Sequence, residues 1–150
     1  MTLRRADSPL LHRHRRPLTV LCATVWCVCF TATHLPRSAV VGIHVTDVVL
    51  HAGGYFVLSG LLAVWLAALG VRIRRRLPAV MLAMPLYAAF DELTQELVGR
   101  DASVSDWSAD VLGAYAAVVI CEAIFAIARR RRATGDDIAA DAPDGAEWSD

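Results

Sequence analysis

Four apolar runs divide this chain, set apart from one another by arginines, acids and turn residues. The first covers Leu18 to Phe30 and extends weakly to Leu35. The second runs from Val48 to Val71. The third runs from Leu77 to about Val98, with Pro78 early and Pro85 inside it. The fourth runs from about Ala109 to Ala128. Each approaches the ~20 residues that carry an α-helix across a bilayer. Pro17 stands at the start of the first run, where a missing N–H does no harm. That run is the shortest and carries Thr19, Thr24, Thr31 and Thr33, so its ends are the least sharply drawn. The pattern predicts an all-α polytopic membrane protein, a four-helix transmembrane bundle.

Composition agrees. Hydrophobic residues make up 56% of the 150, and the mean hydropathy is +0.45. The formal charge of zero hides a segregation. All 15 basic residues are arginine, and thirteen of them lie in three blocks: Arg4 to Arg16, Arg72 to Arg76, and Arg129 to Arg132. A basic block on a soluble protein suggests nucleic acid. Here every block flanks an apolar run, so the arginines read as membrane flanks and no nucleic-acid partner is expected. Positive charge collects on the cytoplasmic side. That rule places both termini and the second connection inside, and the first and third connections outside.

This divides the chain into a basic cytoplasmic segment (residues 1–16), a membrane domain (17–132) and an acidic cytoplasmic tail (133–150). The tail carries six acids with Gly135, Pro143 and Gly145 and has little to bury, so it is expected to be disordered. A cleaved signal is a competing reading of the first run. Its small-residue site, Thr31-Ala32-Thr33, is a poor one, and an uncleaved helix is preferred. Cys22, Cys27, Cys29 and Cys121 lack zinc-site spacing and read as small apolar residues.

Strongly polar residues within apolar runs are costly and mark functional sites. In this orientation they gather toward the outer face. The second run opens Asp47-x3-His51-x3-Tyr55, followed by Ser59, one polar residue per turn on a single face. Asp47 also suits a helix cap beside Thr46. Gly53, Gly54 and Gly60 would permit close helix approach. The third run ends Asp91-Glu92-x-x-Gln95. Asp91 and Gln95 share a face, and Glu92 points about 100° away. The last group is Gly99-Arg100-x-x-Ser103-x-x-Asp106-x3-Asp110-x-x-Gly113. Asp106 also fits a capping role. Arg100 is the only cation of its loop, suited to holding these carboxylates or meeting an anion such as a lipid phosphate. Glu122 lies alone in the inner half, where snorkelling or pairing with the C-terminal arginines would accommodate it. So little polarity there argues against a channel.

In this order and spacing, the three motifs resemble the VanZ-like family of small bacterial membrane proteins, over roughly residues 20–125. The chain departs from that family in having Val48 where lysine is frequent and Asp110 where asparagine is common. The resemblance implies a multi-pass helical protein of the bacterial cell membrane. Through the family's namesake it also implies a link to resistance to the glycopeptide teicoplanin.

Three kinds of function remain open. An enzyme at the outer leaflet would act on a lipid or cell-envelope headgroup. His51 would be its acid or base, with Asp47, Asp91 and Asp106 as catalytic partners. Arg100, Gln95, Tyr55, Asp110 and Glu92 are ligand-binding candidates. Asp91, Asp106 and Asp110 offer oxygens to a divalent cation such as Mg²⁺. A non-catalytic protein would use the same groups to capture a headgroup, a glycopeptide or a partner protein. In a purely structural role, the polar groups would satisfy one another and only join the helices.

Overall fold

The structure is a computed structural model that describes residues 13–35 and 47–140, with side chains to residue 134. It is all helical among the described residues. Four helices run alternately up and down: α1 (Arg15–Thr33), α2 (Asp47–Ala68), α3 (Ile73–Gln95) and α4 (Val104–Ala140). A single 3₁₀ turn, Glu96–Val98, follows α3. The connection from Leu35 to Asp47 and the ends of the chain, residues 1–12 and 141–150, lie outside the described residues.

Arg15–Thr33, Asp47–Ala68 and the Val104–Thr134 part of α4 are long and apolar enough to cross a membrane. α3 is not among them. Its arginine start, its two prolines and the Asp91-Glu92 pair dilute an otherwise apolar helix. Boundaries also differ from the apolar runs. α3 begins at Ile73 and takes in Arg74 to Arg76. α4 begins five residues before Ala109, because Ser103 caps it: Ser103 Oγ accepts the Asp106 N–H at 3.2 Å. α4 then continues through Arg132 to Ala140, past the break expected after Arg132. Alanine and arginine are strong helix formers, and the first proline beyond them is Pro143.

The interior is made of small and polar residues. Ala63, Ala68, Ala88, Ala114 and Ala117 are fully or almost fully buried, with Leu58, Val80, Met84 and Val118. The buried set also includes His51, Ser59, Arg76, Asp91, Glu92, Gln95, Asp110 and Glu122. Large apolar side chains point outward instead, among them Val57, Leu82, Leu86, Phe90, Leu112, Val119 and Ile124. This is the reverse of a water-soluble bundle.

α2 and α4 make the most extensive helix contact, and Gly113 permits it. A Cβ at Gly113 would run into the backbone of Ala52, 2.9 Å from its carbonyl carbon and 3.0 Å from its Cα. The close approach therefore lies at Gly113. A Cβ at Gly53 or Gly54 would meet nothing within 4 Å, and at Gly60 it would make only ordinary contacts at 3.8 Å. Ser59 Oγ ties the same helices by donating to the Ala114 carbonyl at 2.8 Å.

Pro85 lacks the N–H that would bond the Met81 carbonyl four residues earlier. The Tyr115 hydroxyl donates to that carbonyl at 3.0 Å. α1 is peripheral, with Cys22 its one buried residue among those described. It docks through Trp65 Nε1, which donates to Thr19 Oγ1 at 2.8 Å. The edge-to-face pair of Trp26 and Tyr87, 5.1 Å between centroids, adds a second attachment.

Polar groups concentrate at the end where α1 and α3 finish and α2 and α4 begin. Among the described residues, the opposite end buries the ion pair of Arg76 with Glu122. Glu122 was expected to snorkel or to meet the arginines after α4. It meets an arginine of α3 instead, which faces it across the bundle.

Candidate functional site

Asp47, His51 and Tyr55 descend one face of α2, as their four-residue spacing requires. His51 and Tyr55 are buried; Asp47 is half-buried at the rim. The 100° between Asp91 and Glu92 sends the two acids to different neighbours. Asp91 turns toward α1, and Glu92 turns toward α2 and α4. Two polar clusters result, with a third contact above them.

The first cluster joins α2, α3 and α4. His51 Nδ1 lies 3.1 Å from Asp110 Oδ1 and 3.7 Å from Glu92 Oε1. All three residues are buried. Glu92 Oε2 accepts the Ser103 N–H at 2.7 Å, which fixes the start of α4 against the end of α3. Glu92 Oε1 and Asp110 Oδ2 are buried without a hydrogen-bond partner. Asp106, in the first turn of α4, approaches the same histidine: one ligand-capable atom from each of Asp47, His51 and Asp106 lies within 4.8 Å of the others. Asp106 therefore faces the site, and Ser103 does the capping.

The second cluster joins α1 and α3. Thr33 Oγ1 donates to Asp91 Oδ1 at 3.1 Å, and Gln95 Nε2 reaches Asp91 Oδ2 at 3.4 Å. His34 Nδ1 lies 3.7 Å from Asp91 Oδ1 and 2.8 Å from the Phe30 carbonyl. A carbonyl only accepts, so Nδ1 carries a proton there. His34 Nε2 meets Thr94 Oγ1 at 3.0 Å. Tyr55 faces Asp91 from α2, with its hydroxyl buried beside that carboxylate.

Arg100 forms the third contact. Gly99, with φ +75°, turns the chain out of the 3₁₀ element. Arg100 then reaches back across the mouth of the bundle. Its Nη2 donates to Asp47 Oδ2 at 2.9 Å and its Nη1 to the Thr33 carbonyl at 3.1 Å. It thus pairs with Asp47, where the loop spacing had suggested Asp106 or Asp110. Asp47 follows Thr46, which lies outside the described residues, and its carboxylate is committed to Arg100.

A cavity of about 300 Å³ opens between α1, α2 and α3. Its walls are mainly apolar: Phe30, Leu35, Leu50, Leu58, Cys29 and the open face of Gly54. At its polar end stand Arg100, Asp47, Thr33, His51, Asp91 and Tyr55.

All nine residues singled out from the sequence therefore lie at this end, shared among linked contacts. Asp91 does not join Asp106 and Asp110 as a cation ligand; among the described residues the metal-capable groups contain His51, Glu92, Asp110, Asp47 and Asp106. Sequence reasoning passed over His34 and the role of Thr33. Both lie in the weak extension of the first apolar run, and a polar dipeptide near the end of that run was the available signal. The chain matches no protein-family profile, no curated protein and no solved structure.

Proposed function

We propose that this chain is a VanZ-like protein embedded in the bacterial cell membrane, with four spans and both termini cytoplasmic. Its cavity binds an amphiphile whose polar headgroup belongs to a lipid or a lipid-linked cell-envelope molecule. One observation carries this reading: a mainly apolar cavity that ends in Arg100, Asp47, His51 and Asp91. The apolar walls suit a hydrocarbon chain, and the few convergent polar groups suit a headgroup. The inside-out distribution of small, polar and large apolar residues supports lipid as the surroundings, because small residues let helices pack closely there. A purely structural role would leave the polar groups mutually satisfied. Glu92 and Asp110 each keep a buried carboxylate oxygen unpartnered.

A second reading, catalysis on the same amphiphile, is favoured by His51. It lines the cavity while Asp110 holds its Nδ1, the way a carboxylate orients a general base.

Gly54 supplies the test. It lines the cavity, and a Cβ there would meet nothing within 4 Å. Gly54→Leu adds a bulky apolar side chain at that wall. Native mass spectrometry of the purified protein should find an amphiphile bound to the wild type and little on Gly54→Leu, with both folded. Equal binding to the two, or none to the wild type, would reject the reading. If the amphiphile binds, turnover that disappears in His51→Ala while binding remains would establish the catalytic version.

A further inference from the structure

We propose that His51, Glu92 and Asp110 form a buried binding site for a divalent transition-metal ion of the Zn²⁺ class, which shares His51 with the wall of the amphiphile cavity. Three helices contribute one ligand each: His51 from α2, Glu92 from α3 and Asp110 from α4.

The geometry suits an ion. One ligand-capable atom from each residue lies within 4.8 Å of the other two. A tetrahedral Zn²⁺ with bonds near 2.0–2.2 Å separates neighbouring ligand atoms by roughly 3.3–3.6 Å. The observed separations from His51 Nδ1 are 3.1 Å to Asp110 Oδ1 and 3.7 Å to Glu92 Oε1. They straddle that spacing, so small side-chain adjustments would place both oxygens and the nitrogen around one ion.

Hydrogen bonding accounts for the cluster less completely. A proton on His51 Nδ1 satisfies Asp110 Oδ1 and leaves Glu92 Oε1 and Asp110 Oδ2 buried and unpaired. Buried carboxylate oxygens without partners are expensive, and a cation satisfies them together. The donor set also selects the ion. One imidazole with carboxylates suits zinc-like metals, whereas Mg²⁺ and Ca²⁺ prefer all-oxygen shells.

Asp47 and Asp106 converge on the same histidine. Asp47, however, is already neutralised by Arg100 at 2.9 Å, a poor neighbour for a metal ion. The deeper triad has no arginine bonded to it among the contacts described. Ser103 N–H bonds Glu92 Oε2, leaving Oε1 for the ion and fixing its direction.

The experiment uses the full chain in detergent, stripped with a chelator and titrated with Zn²⁺ or with Co²⁺ as a spectroscopic probe. The wild type should take up about one equivalent and melt higher when loaded. Bound Co²⁺ should show d–d absorption without the charge-transfer band of a thiolate ligand. Glu92→Gln, which keeps an oxygen for Ser103, and Asp110→Asn, nearly the same shape, should each lose most of the uptake and of the shift. Glu96→Gln, an exposed carboxylate outside both the triad and the cavity, should keep both. Failure of the stripped wild type to bind either metal overturns the proposal. So does wild-type uptake by the two triad variants, a thiolate band, or loss in Glu96→Gln equal to theirs. Amphiphile binding is read separately by mass, so either idea can fail without the other.

Discussion

Arg76 and Glu122 meet through two parallel hydrogen bonds, Nε to Oε1 at 2.6 Å and Nη2 to Oε2 at 2.8 Å, at the end of the bundle opposite the polar clusters. Nη1 donates to the Val71 carbonyl at 2.7 Å, and the guanidinium lies 5.1 Å from the Phe125 ring centroid. The arginine is fully buried. Removing one partner strands the other charge, so Glu122→Ala should cost roughly 3–5 kcal/mol. Replacing both, as in Arg76→Met with Glu122→Leu, should recover most of that loss. Unfolding of the three proteins in mixed micelles checks the order. A double variant no more stable than Glu122→Ala would contradict it.

Tyr115 answers a vacancy that Pro85 creates in α3. Tyr115→Phe should leave the Met81 carbonyl unpaired and cost roughly 1–3 kcal/mol. In a Pro85→Ala background the restored backbone N–H supplies the missing bond. The same Tyr115→Phe change should then cost much less. Identical costs in the two backgrounds would show that the hydroxyl serves some other purpose.

Glycines that look alike in sequence should respond differently. Gly113→Ala drives a methyl into the Ala52 backbone and should force α2 and α4 apart, lowering the folded yield and the melting temperature. Gly53→Ala meets open space and should gain about 0.5–1 kcal/mol from helix propensity. Comparable losses in both variants would remove Gly113 from its place as the crossing point.

Orientation is testable by reporter fusions. Fusions after Arg76 and Arg132 should report a cytoplasmic position, and one near Ser103 an external position. An external signal after Arg76 would invert the protein and move the cavity to the cytoplasmic leaflet. The inverted result would leave the metal site intact and change only the molecules able to reach it.

Sequence periodicity made the helices and the polar face of α2 legible, because four-residue spacing fixes which side chains share a stripe. It also separated Asp91 from Glu92 by angle. It left their partners undetermined: His34 for Asp91 and Asp110 for Glu92 depend on helix neighbours distant in sequence. Arg76 and Glu122, 46 residues apart, are another example. Hydropathy begins at Ala109, whereas hydrogen bonding begins at the Ser103 cap, so the apolar run marked α4 without its first turn. Gly113 was visible as part of a motif. That it, and not Gly53 or Gly54, takes the tight crossing depends on the rotation of α4, which spacing alone does not fix.

Glu92 faces two ways with its two oxygens. Oε2 accepts the Ser103 N–H ahead of α4, and Oε1 is turned inward to His51. One carboxylate therefore joins the loop that starts α4 to the buried histidine, and truncating Glu92 would remove both contacts at once.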